Sequence, residues 1–65
     1  MLISVNGERR EVVAQTLAAL LGELGFDEQK LATALNQEFV RERDRAVALL
    51  REGDAVEIVS PRQGG

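Results

Sequence analysis

Leu17, Leu20, Leu21 and Leu24 fall at i, i+3, i+4 and i+7, which is one face of an amphipathic helix. The other apolar stretches are short or alternate, so strands have to cover that face. Thr16 stands where an N-cap would accept from the first free amides, and Gly25 stands where a left-handed residue would stop the helix. Phe26, just beyond, is expected to close that end with a hydrophobic contact. The chain has 65 residues and no cysteine, so no disulfide supports its core. The leucine stripe is therefore read as core rather than as a partner groove.

Before the helix, Met1, Ile3 and Val5 alternate with Leu2 and Ser4, and Asn6-Gly7 follows as a hairpin turn. The return strand, Glu8 to Val13, opens with four charged residues and suits a sheet edge. Arg9 and Arg10 are read as solubilising charges of that edge, with a docking patch as the other reading. After the helix, Asp27-Glu28-Gln29-Lys30 reads as connection and Leu31 to Leu35 as a strand. Asn36-Gln37-Glu38 turns the chain into a short strand, Phe39-Val40, with Phe39 pointing inward as core. Arg41 to Arg45 alternates in charge and reads as a solvated face. Asp44 is expected to cap a short helical turn from Ala46 to Leu50, with Leu49 or Leu50 under the sheet. Gly53-Asp54 marks a turn before the last strand, Ala55 to Val59, whose Val56 and Ile58 point into the core while Val59 points away.

These elements predict an α+β fold: a mixed sheet of four to five strands packed on one main helix, with the first and last strands together in its middle. Residues 1-60 form a single domain. Pro61 lacks an amide hydrogen and ends the last strand, which leaves residues 61-65 as a flexible Gly-Gly tail.

The composition narrows the chemistry. Histidine, tyrosine, tryptophan and cysteine are all absent, which removes the usual general base near neutral pH, the catalytic phenol, the thiol nucleophile and thiolate metal sites. Gly22 and Gly25 do not follow a strand, so they make no phosphate-binding loop. A net charge of -3 with 3% aromatics argues against a nucleic-acid groove with stacking platforms. No stretch approaches the roughly 20 apolar residues of a membrane span, and Met1 leads directly into a strand pattern rather than a signal peptide. The expectation is a cytoplasmic protein, monomeric when free, that binds no metal or cofactor of its own.

The remaining place for chemistry is the tail. Gly64 and Gly65 leave the last carboxylate without a neighbouring side chain, on a backbone able to enter a narrow channel. That carboxylate has a pKa of about 3.5 and at neutral pH is a poor electrophile. Reaction at its carbon requires activation, for which an acyl-adenylate is the usual biological form. The chain has no nucleotide site, so a partner enzyme has to supply the activation.

The order of elements and the Gln63-Gly64-Gly65 ending resemble the β-grasp, ubiquitin-like family, and within it most closely the ThiS-type sulfur carriers of thiamine thiazole synthesis. The residues that carry the resemblance are Val5-Asn6-Gly7-Glu8, Thr16-Leu17 with Leu20-Leu21, Asn36 with Glu38 and Val40, Gly53-Asp54, and Val56-Glu57-Ile58-Val59. They extend over essentially the full length. Such carriers often have Pro-Arg after the middle valine and an aromatic shortly after, where this chain has Arg41-Glu42 and Arg45.

The resemblance implies a protein co-substrate rather than an enzyme. A ThiF-type adenylating enzyme would use ATP and magnesium to activate Gly65. Sulfur derived from a cysteine desulfurase would convert the adenylate to a thiocarboxylate, and thiazole synthase would take that sulfur. Arg62, Gln63 and Gly64 would be held in the partners' channels, and Val59 would touch the partner outside. Three other readings compete: the small subunit of molybdopterin synthase, a ubiquitin-like modifier joined to lysines through Gly65, and an interaction domain whose last glycines have no role.

Overall fold

The computed structural model describes residues 1-26 and 30-60. A five-stranded mixed sheet carries one α-helix across one face, in the order β1 (Leu2–Val5), β2 (Glu8–Glu11), α1 (Leu17–Leu24), β3 (Ala32–Leu35), β4 (Glu38–Val40), a 3-10 helix (Glu42–Val47) and β5 (Ala55–Val59). The strands lie side by side as β2-β1-β5-β3-β4. β5 is central, with β1 parallel on one side and β3 antiparallel on the other. The expected pairing of first and last strands is present, and the charged β2 takes an edge.

Both hairpins close through two residues. Asn6 (φ 52°) and Gly7 (φ 86°) join β1 to β2, and Asn36 (φ 51°) and Gln37 (φ 72°) join β3 to β4. Two consecutive positive φ angles define the mirror-image turn whose twist matches paired strands. Gln37 occupies a place that glycine usually fills.

α1 begins where its cap was expected: Thr16 Oγ1 accepts from the Ala19 amide at 3.1 Å. Gly25 takes the left-handed conformation at φ 80°. The Phe26 amide then donates to Leu21 O at 2.9 Å and the Gly25 amide to Gly22 O at 3.2 Å, the paired bonds of a Schellman ending. The Phe26 backbone thus closes the helix, while its side chain remains 38% exposed. Leu17, Leu20 and Leu21 are fully buried against Ile3, Val5, Val12, Val56 and Ile58, and Leu24 packs at the margin. The stripe is core.

Three local expectations are corrected. Phe39 points outward and is 71% exposed. The tight Asn36-Gln37 turn fixes the pairs Leu35↔Glu38, Ala34↔Phe39 and Thr33↔Val40, and because Thr33 faces the core, alternation sends Phe39 to the opposite face with Ala34. Asp44 caps nothing; the 3-10 helix has Arg41 at its N-cap, and Asp44 Oδ2 accepts from Arg41 Nε at 2.7 Å. The chain after Val47 is extended rather than helical, since the Leu17 amide donates to Ala48 O and the Leu50 amide to Gln15 O, both at 2.9 Å. Leu50 is buried and Leu49 exposed.

The run Arg41 to Arg45 is also not uniformly solvated, because Arg45 is 2% exposed. Its Nε donates to Thr33 Oγ1 at 3.1 Å and its Nη2 to Leu31 O at 2.7 Å. This guanidinium joins the 3-10 helix to the start of β3. The connection read over Asp27-Glu28-Gln29 and the strand end read at Pro61 lie outside the described residues.

Candidate functional site

The tail departs from β5, so what fixes β5 fixes where the tail starts. Asn6 Oδ1 accepts from the Ile58 amide at 2.8 Å, and Asn6 Nδ2 donates to Ile58 O at 3.1 Å. Near the other end of the strand, Asn36 Oδ1 accepts from the Ala55 amide at 2.9 Å, and the Asn36 amide donates to Ala55 O at 2.7 Å. The two turn asparagines therefore hold the central strand from both flanks. Each serves as a turn residue tolerant of positive φ and as a side-chain clip.

Along β5 burial alternates, with Val56 and Ile58 inside and Ala55, Glu57 and Val59 outside. Register sets Ala32 of β3 opposite Val59 and Ala34 opposite Glu57, and Phe39 of β4 follows opposite Ala34. The face away from α1 thus carries an apolar surface of Phe39, Ala34, Ala32 and Val59, with Val59 60% exposed. A recess of about 120 Å³ lies among these residues, Thr33 and Glu57. Alanines on β3 leave it open between the larger side chains of β4 and β5. A wider groove of about 620 Å³ on the helix side is lined by Ala18, Arg41, Glu42, Arg43 and Ala46. The smaller recess is the one that includes the end of β5, and on that ground it is the candidate docking site.

Of the residues singled out from the sequence, Val59 lies in this surface, and Arg62, Gln63, Gly64 and Gly65 lie outside the described residues. Sequence reasoning missed Phe39, Ala32, Ala34 and Glu57. The signal available for the alanines was their alternation with Thr33 and Leu35, which leaves one side of β3 nearly without relief. Among the described residues, no group of acidic side chains is arranged to hold a metal ion, and no helix is long and apolar enough to cross a membrane.

A small mixed sheet gripping one helix, with an apolar outer face that reaches Val59 at the end of β5, defines a β-grasp domain. The ThiS family model matches residues 3–65, and the chain belongs to the ThiS family of sulfur carriers in thiamine biosynthesis. It is 36% identical over 64 residues to the sulfur carrier protein ThiS of Thermus thermophilus, covering 98% of this chain and 100% of that one. It is 42% identical over 66 residues to a thiazole synthase of Paramagnetospirillum magneticum; the match takes in 100% of this chain but only 20% of that protein. The crystal structure of the thiamine biosynthesis protein ThiS from Geobacter metallireducens superposes with a TM-score of 0.85 at 26% identity, with 100% of both chains covered. The solution structure of a thiamine biosynthesis protein from the same organism gives 0.83 at 26% identity, covering 100% of this chain and 88% of that one. Fold, family and carrier role agree with the resemblance read from the sequence.

Proposed function

We propose that Gly65 is the atom-carrying end of this carrier. A ThiF-type enzyme, using ATP and magnesium, converts its carboxylate to an acyl-adenylate with release of pyrophosphate. The terminal sulfur of a protein persulfide loaded by a cysteine desulfurase attacks the adenylate carbonyl and displaces AMP. A thiol then reduces the resulting acyl disulfide, its own sulfur passing into a disulfide, to leave the thiocarboxylate. Thiazole synthase takes that sulfur. The relative from P. magneticum supports this last partner, because there a segment resembling the whole of this chain is part of a longer thiazole synthase.

The division of labour follows from size. The folded domain supplies recognition, and five residues beyond Ser60 span at most ~17 Å when extended, enough to reach a buried site from a docked position outside. Arg62, Gln63 and Gly64 are the residues held along that channel. The surface around Val59 docks both enzymes in turn, because each has to admit the same few residues next to it. Holding the tail costs entropy, which keeps each complex reversible. A carrier has to dissociate.

The observation that supports this reading is the continuity between the apolar face and the end of β5: Val59 lies in the recess one residue before Ser60. Deletion of Gly65 tests it. The truncated protein is expected to keep its fold and lose all sulfur transfer. Retained transfer would refute the role of Gly65 and favour a domain whose glycines are incidental. Conjugates of higher mass in cells would favour the modifier reading.

A further inference from the structure

Glu57 stands in the middle of the outer face. It lies opposite Ala34, with Ala55 and Val59 two residues away on its own strand and Phe39 two strands across, about 10 Å between Cα positions. Its side chain is exposed and has no hydrogen bond or ion pair with any described residue. The recess includes it beside the apolar side chains. An unpaired carboxylate there has a consequence for whatever covers the surface. Burial against an apolar partner would strip its water without replacement, whereas a partner presenting a cation at that point recovers the interaction.

We propose that Glu57 selects the partner: the surface that docks on Phe39, Ala34, Ala32 and Val59 carries a guanidinium or ammonium group that meets the Glu57 carboxylate. This rests on the docking reading above, and the occupant is thiazole synthase, the protein of which a segment resembling this chain is part in P. magneticum. A second copy of this chain is a poor occupant, since it would bring an identical carboxylate to an identical surface. The charge therefore works in both directions, favouring a basic partner and rejecting apolar or acidic surfaces that would otherwise adhere to Phe39.

The test measures binding of the full chain to thiazole synthase by calorimetry, for wild type, Glu57→Gln and Glu57→Lys, at low and high salt. Glu57 has no intramolecular partner, and glutamine is its near isostere, so the fold is retained; circular dichroism verifies this. The expected order is wild type tightest, Glu57→Gln weaker by about threefold to tenfold, and Glu57→Lys weaker by more than about tenfold. Wild-type affinity falls with salt, and that dependence flattens in Glu57→Gln. Equal affinities for all three overturn the proposal. Weakening with unchanged salt dependence also overturns it, because Glu57 would then act through shape. No binding by the wild type refutes the docking reading and this inference with it, whereas binding without selectivity refutes the inference alone.

Discussion

Asn6 holds Ile58 through both ends of its side-chain amide, accepting from the Ile58 nitrogen at 2.8 Å and donating to its oxygen at 3.1 Å across 52 positions of sequence. A residue chosen for its turn also fastens the strand from which the tail departs. Replacement by glycine preserves the positive φ and removes the clip; replacement by alanine removes the clip and strains the turn. Asn6→Gly is expected to cost about 1–2 kcal/mol and Asn6→Ala about 2–4 kcal/mol. Urea unfolding measures both, and equal losses would show that the turn geometry contributes nothing.

Gln37 adopts φ 72° at the second position of its hairpin turn, where a side chain is strained. Gln37→Gly is expected to stabilise the domain by about 0.5–1 kcal/mol, the relief of the left-handed backbone exceeding the added freedom of the unfolded chain. In a domain of this size that raises the midpoint by roughly 2–8 °C, readable by thermal unfolding. A lower midpoint would mean that the Gln37 side chain stabilises the turn by more than its backbone strain.

Arg45 is buried, and its guanidinium donates to Thr33 Oγ1 and Leu31 O. Arg45→Ala removes a large buried side chain and leaves the Leu31 carbonyl without this donor. A loss of about 3 kcal/mol is expected. Arg45→Lys keeps the charge without the planar fork and should recover only part of that stability. Full recovery by lysine would assign the effect to charge alone.

The local signals in the sequence were those fixed within a few residues. The leucine spacing, Thr16 as cap, Gly25 as stop and the Asn6-Gly7 turn each depend on neighbours along the chain, and each is present. Phe39 was misplaced because a three-residue strand shows too little alternation to set its face, so hydrophobicity alone pointed it inward. The turn length and the buried Thr33 decide otherwise. Arg45 could not be read as buried because its acceptors belong to β3 and the residue before it, and they come together only in the fold. The docking face was half legible. Val59 follows from alternation in β5, whereas Ala32, Ala34 and Phe39 join it only through register.

Phe39 is largely exposed and outside the core, so Phe39→Ser is expected to change stability by less than about 0.5 kcal/mol. If the face docks partners, the same change should weaken binding to the adenylating enzyme and to thiazole synthase by about 1–2 kcal/mol. Val59→Asp should weaken both as well. A variant that loses affinity for one enzyme and keeps it for the other would show that they dock on different surfaces.

The proposed function stands or falls with sulfur carried on Gly65. The most direct measurement is an intact-mass spectrum, with C-terminal fragmentation, of the protein taken from its host during thiamine starvation. The expected result is a species in which one oxygen of Gly65 is replaced by sulfur, with no change elsewhere in the chain. An unmodified chain, persisting when ATP, magnesium, the adenylating enzyme and a sulfur source are supplied, would contradict it.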